Sequence, residues 1–270
     1  MTPALDVPRL PCPFVLVTGG KGGVGKSTLA ANLGVALSAA GVETLLLDLD
    51  LGLANLDVIL GLERRADPLD LFARRRSFED CVVRGPGGLA VLPASSGVYE
   101  LAHAGPERRR VLLEEVARAA TGFELVLGDT AAGIGEDVLA FAAAADRVLL
   151  VTTPDPAAVT DAYAVLKALD AWSRDAGLEV ATPELVVNLA SGVEEARRVA
   201  GRLRTVSERF LARAPRFQGW LPRSRSVLTA ALAQRPFVLT EPESLVAKRV
   251  LLLAQDLAPG LLKQIGGHVR

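Results

Sequence analysis

Short apolar runs rich in valine and leucine alternate along the chain with longer Ala/Leu-rich stretches whose apolar positions recur at helical spacing. The first run, residues 14–18, ends in glycines, and a helix is predicted over 27–40 until Gly41 stops it. Further strands are predicted over 43–47, 89–92, 124–127, 147–151, 184–187 and 217–221. Helices are expected over 106–120, 136–145, 161–176, 193–211 and 244–257. Pro106 falls in the opening turn of the first of these, where a missing N–H costs little. Strand alternating with helix predicts an α/β fold: one domain with a mostly parallel, twisted sheet flanked by helices on both faces. In helix 193–211, Val193, Ala196, Val199, Leu203, Val206 and Phe210 form a stripe expected to face inward. No linker is long or polar enough to split the chain. The expected organisation is an extended segment 1–13, a domain over 14–258 and a tail 259–270.

Candidate chemistry is concentrated where the first strand meets the first helix. Gly19-Gly20-Lys21-Gly22-Gly23-Val24-Gly25-Lys26-Ser27-Thr28 fits G-x-x-x-x-G-K-[ST] from Gly20 to Ser27, in the strand–loop–helix setting that this phosphate-binding motif needs. Its glycines let backbone N–H groups converge on an anion, and the helix N-terminus adds partial positive charge. Lys26 is placed to reach the β- and γ-phosphates, Ser27 to put a hydroxyl on Mg²⁺, and Thr28 to meet the α-phosphate. The chain therefore reads as a P-loop NTPase, with a nucleotide phosphate chain and Mg²⁺ as its ligands.

Composition sharpens this picture. Of 270 residues, 30 are Lys or Arg and 31 Asp or Glu, a net charge of −1 that argues against a generally basic nucleic-acid coat. Only five of the cations are lysines, and two of those, Lys21 and Lys26, stand in the glycine-rich loop. Cys12 and Cys81 form no C-x-x-C pair, which argues against an iron–sulfur site, a zinc site or a disulfide framework. Residues 1–11 lack the basic-then-apolar pattern of a signal peptide, and no apolar run approaches 18 residues. A reduced, cytosolic protein is expected. Asp48 and Asp50 follow the second strand and Asp129 the strand 124–127. Strand ends are where open α/β sheets bind ligands, although an Asp there also serves turns and helix caps.

The extra lysine gives the string K-G-G-x-G-K-[ST] over residues 21–27, which resembles the deviant Walker A loop of MinD and ParA-type ATPases. The resemblance implies that Lys21 crosses a face-to-face homodimer to touch the partner's ATP. Residues 48–57 resemble that family's switch I. By that likeness Asp50 orients the attacking water and contacts the Mg²⁺ shell, Asp48 stands behind it, and Asn55 meets phosphate or the partner protomer. Residues 128–135 resemble its Walker B and switch II region, implying that Asp129 holds Mg²⁺ through water and the Gly133 amide senses the γ-phosphate. Residues 151–163 resemble the MinD-type dimer segment, with Asp155 where a glutamate usually reaches the partner's ribose. Asn188 matches the adenine-reading asparagine, and Pro222 and Arg223 the loop over the base.

Residues 85–98 and 234–238 are similar to the FlhG branch, which sets flagellar number and position, although no D-Q-A-x-x-L-R helix precedes Phe14. The implied activity is hydrolysis of ATP to ADP and phosphate by Lys21, Lys26 and Asp50. The implied partners are a second copy and a component of flagellar assembly: an SRP-type GTPase, the motor-switch ring or a transcription regulator. Leu261, Leu262 and Ile265 in the tail offer a short apolar segment for the inner face of the membrane. One rival is a ParA-like ATPase using DNA as its matrix through arginine clusters at 74–76, 108–110 and 193–216. Another is a nucleotide-bound scaffold that does not hydrolyse. In an arginine-rich chain such clusters are also ordinary solvated faces.

Overall fold

The computed structural model describes residues 9–50, 55–63, 70–71, 75–94, 105–177 and 180–259. Among the described residues eight strands join one sheet: β1 (Phe14–Thr18), β2 (Thr44–Leu49), β3 (Val83–Arg84), β4 (Ala90–Leu92), β5 (Leu125–Thr130), β6 (Arg147–Thr152), β7 (Glu184–Ala190) and β8 (Arg216–Pro222). Their order is β3-β4-β2-β5-β1-β6-β7-β8. Every pairing is parallel except β3 with β4. Among the described residues the helices are α1 (Lys26–Ala39), α2 (Leu56–Leu60), α3 (Phe78–Cys81), α4 (Gly105–Ala119), α5 (Glu136–Ala144), α6 (Pro156–Ala176), α7 (Val193–Phe210), α8 (Arg225–Ala233), α9 (Phe237–Thr240) and α10 (Leu245–Leu257).

The central strand β1 is buried along its whole length, as a strand covered on both faces must be. Its alternation divides the core: Phe14 and Leu16 join the layer under α4 to α7, while Val15 and Val17 join the layer under α1 and α8 to α10. The expected sheet with helices on both faces is therefore what forms. Each parallel strand delivers its C-terminal end to the same rim, and at β1 the order departs in opposite directions, the setting in which such sheets bind ligands. None of the described helices is long and apolar enough to cross a membrane.

Several boundaries differ from the sequence expectation. Strand β2 runs to Leu49 and β5 to Thr130, so Asp48 and Asp129 lie within strands rather than beyond them. Burial of Thr130 is tolerated because its hydroxyl donates to the Val17 carbonyl at 3.3 Å and shares a second hydrogen bond with the Thr18 hydroxyl at 3.0 Å. Helix α6 begins at Pro156 instead of residue 161, since Asp155 caps it by accepting from the Ala158 amide and Pro156 suits its first turn. The stripe on α7 is also corrected. Ala196, Val199 and Leu203 are buried, but Val206 and Phe210 are 40% and 64% exposed, and Ser207 takes the inward place. Position 207 continues the line of 196, 200 and 203, whereas Val206 is rotated off it. Phe210 ends the helix, where the Arg209 guanidinium covers its ring. Residues 1–8, 51–54, 95–98, Arg74 and the tail's Leu261, Leu262 and Ile265 lie outside the described residues.

Candidate nucleotide-binding site

The loop between β1 and α1 is shaped by what surrounds its glycines. A Cβ on Gly20 would stand 2.2 Å from the Asp161 carbonyl oxygen on α6, so only glycine fits that passage. Gly25 has φ +94° and leads into α1 with no side-chain cap and no acid in the first turn. An uncapped N-terminus leaves amide donors for an anion. Lys26, the first helical residue, is 7% exposed. Burial lowers its pKa, and the negative charges of Asp129 and Asp50 oppose that shift. Ser27 and Thr28 follow half-buried, with Gly22 and Gly23 exposed on the rim and Val24 in the core beneath it. Lys21 is exposed instead, its Nζ 3.3 Å from Asp155 Oδ1. Backbone capping of α6 and then Lys21 hold the Asp155 pKa below the usual carboxylate range.

Beside the loop, parallel register sets Asp48 opposite Asp129. Asp48 accepts from the amides of Asp50, Asn55 and Leu56 at 3.2, 3.3 and 3.4 Å, yet burial pushes its pKa up to about 7. Asp129 is 1% exposed and pushed up to about 8, chiefly by burial; a hydrogen bond from Ser27 and the charge of Lys26 work the other way. Its Oδ1 is buried without a hydrogen-bond partner. An orphaned carboxylate oxygen beside a serine hydroxyl suits a hard cation that takes one or two protein oxygens and completes its shell with water and phosphate. Ser27, Asp129 and the half-buried Asp50 thus fit Mg²⁺, which when bound would neutralise phosphate charge. Asn55 precedes α2, and its amide ties it to Asp48. The Gly133 amide donates to the Gly19 carbonyl at 3.0 Å, tying the segment after β5 to the loop.

On the other side of β1, Asn188 lies within β7 rather than at its end. Its Nδ2 donates to the Val24 carbonyl at 2.8 Å, and its Oδ1 accepts from the Leu189 amide at 2.8 Å. Leu189 has φ +56°, a left-handed conformation that costs a branched residue about 1–2 kcal/mol. Pro222 closes β8 and pairs with Ala190, and Arg223 follows it exposed. The sheet thus brings the residues expected at phosphate, metal and base to one rim. Sequence reasoning missed Leu189 and also Asn32, which is 1% exposed, donates to the Thr28 carbonyl and accepts from the Val238 amide. A buried asparagine one turn after the motif was the available signal.

A parallel sheet with an uncapped glycine-rich helix entry, a buried lysine and two buried acids defines a P-loop nucleotide-binding protein. Residues 15–258 match the family described as the CobQ/CobB/MinD/ParA nucleotide binding domain, and the chain belongs to that family. It is 37% identical over 245 residues to the antiactivator FleN of Pseudomonas aeruginosa, covering 91% of this chain and 86% of that one. It is 34% identical over 200 residues to the flagellum site-determining protein YlxH of Helicobacter pylori, covering 74% of this chain and 65% of that one. Among solved structures, the cell division ATPase MinD of Pyrococcus furiosus superposes with a TM-score of 0.73 at 26% identity, over 92% of this chain and 98% of that one.

Proposed function

We propose that this chain is an ATP-driven switch. It binds Mg²⁺ and ATP, pairs with a second copy through Lys21, hydrolyses ATP to ADP and phosphate, and regulates flagellar number and placement. The observation that carries the reading is the contrast between the loop lysines. Lys26 is buried against Asp129 and Asp50, where it serves the phosphates of its own protomer. Lys21 stands on the rim in an exposed ion pair, a contact of little net strength that it can exchange for a phosphate in a facing copy. Asp155 would have to leave both Lys21 and the α6 amide to reach a partner's ribose. Asp50 orients the attacking water, and Asn188, Pro222 and Arg223 receive the base. The flagellar role rests on the likeness to FleN and YlxH. The protein would act in the cytoplasm, at the inner face of the membrane, through the tail after residue 258.

The DNA-matrix alternative has less support. On and beside α7, Arg197 pairs with Glu194, Arg204 with Glu208 and Arg216 with Glu184, so part of that cluster is engaged within the molecule. Size-exclusion chromatography with phosphate-release assays tests the switch. The expected result is a dimer only with Mg²⁺ and ATP, and none for Lys21→Ala; a wild-type chain that stays monomeric with ATP overturns it. Counting flagella after deletion of the gene tests the cellular role, with unchanged number and placement as the refuting result. Co-sedimentation with anionic liposomes and with plasmid DNA, with and without residues 259–270, separates the two matrices.

A further inference from the structure

A surface helix ordinarily turns its large apolar side chains toward the core. Helix α8 does the reverse. Its inward places go to Ser226 and Ala230, both buried, while Leu228 and Leu232, one turn apart on the outer face, are 63% and 80% exposed. Ser226 is satisfied in its buried place by donating its hydroxyl to Glu241 Oε2 at 2.6 Å. The pattern extends to the next two helices. Every exposed leucine among the described residues lies on α8, α9 or α10: Leu228, Leu232, Leu239, Leu245 and Leu252. A lone surface leucine needs no explanation, but this many on consecutive helices of one layer does.

Charge is arranged around these leucines with one sign left free. Arg225 and Arg235 flank the α8 pair, are exposed, and make no side-chain ion pair or hydrogen bond among the described residues. The acids of the same stretch are engaged: Glu241 by Ser226, Glu243 by Lys248 at 2.9 Å, and Asp256 by Arg147 and Gln218. Protruding leucines beside free arginines match hydrocarbon beneath anionic headgroups, a surface that asks for no shaped pocket. We propose that the outer surface of α8 to α10 is a lipid-contact face, separate from the tail. Leu228 and Leu232 enter the interface of an anionic bilayer, and Arg225 and Arg235 pair with its phosphates. The inference rests on the membrane action proposed above and adds a contact built into the folded domain. Residues 259–270 follow α10, in the same layer, so one bilayer can meet both. A single short apolar segment binds lipid marginally, and stable anchoring takes two signals.

Co-sedimentation of the full chain with vesicles tests this, with phosphatidylglycerol and phosphatidylethanolamine as the anionic surface and phosphatidylcholine as the neutral one. Wild type should bind the anionic vesicles about tenfold more tightly than the neutral ones. Leu228→Ser combined with Leu232→Ser should weaken anionic binding by about tenfold or more. Arg225→Ser combined with Arg235→Ser should weaken it about fivefold per arginine and flatten its salt dependence. All four side chains are exposed, so thermal melts and ATP titrations of both variants should match wild type. Vesicle binding that both variants retain in full would leave the tail as the whole anchor and overturn this inference alone. Equal binding to neutral vesicles would overturn it as well. A leucine variant that keeps its lipid binding and loses the ATP-dependent dimer would make this face a contact between copies, with the same result. A wild-type chain that binds no vesicle would remove the membrane reading and this inference together.

Discussion

The two halves of the rim solve opposite problems with polar residues. At the ends of β2 and β5, Asp48 and Asp129 face each other in register, both raised by burial, and Asp129 Oδ1 has no partner. On the side of β6 and β7, Asp155 caps a helix and pairs with Lys21, and Asn188 satisfies two backbone groups. The first half holds unspent electrostatic demand that only a ligand answers. The second is already hydrogen-bonded, and its strain is in the backbone at Leu189. On the proposed reading, charge neutralisation would belong to the first half, where the phosphates lie, and selectivity to the second, where the base lies.

The largest expected effect tests the phosphate half. Lys26→Ala should abolish measurable ATP binding in calorimetric titration, because the backbone loop alone cannot neutralise a triphosphate. Retained binding would move that task to another cation. Next, Asp50→Ala should slow phosphate release by about 10²–10⁴ while ATP still binds, the usual effect of losing a positioned base. Normal turnover would assign the water to another group.

A smaller effect concerns stability without nucleotide. Asp129 is raised to about 8 when folded against 3.8 for the free side chain, so between those values the folded state binds more protons than the unfolded one. Stability from this group is complete below pH 4 and lost as pH rises through about 8. Melts from pH 5 to 8 should show Asp129→Asn with a shallower decline than wild type; parallel curves would count against the assignment. The smallest effect is on the exposed side. Lys21→Ala should change ATP affinity by less than tenfold, because its partner Asp155 is exposed and remains bound to the Ala158 amide. A loss as large as that of Lys26→Ala would erase the distinction between the two lysines.

The phosphate loop was legible because its chemistry is local: ten consecutive residues carry the glycines, the lysines and the helix start. The strands of the sheet were legible from their apolar runs, since burial on both faces leaves little alternation to misread. What eluded the sequence depends on distant pairing. That Asp48 lies opposite Asp129 follows from the β2–β5 register, and the Asn188 contact to Val24 from the packing of β7 beside the loop. The antiparallel β3 escaped because two residues carry no period. Phe210 was misplaced because a stripe read at helical spacing says nothing of where a helix outruns its support.

The bond from the Gly133 amide to the Gly19 carbonyl has a further consequence. One amide has one hydrogen to give. While Gly19 holds it, no phosphate oxygen can; once a phosphate takes it, the carbonyl at the end of β1 must find another donor or go without. The two states are alternatives in the strict sense, and passing between them exchanges one hydrogen bond for another instead of breaking one outright. On the proposed reading of the site, the segment after β5 would report the arrival and departure of a single phosphate by exchanging this one contact. It would then act as a toggle with one contact and two terminals, and in this structure the terminal that holds the amide is Gly19.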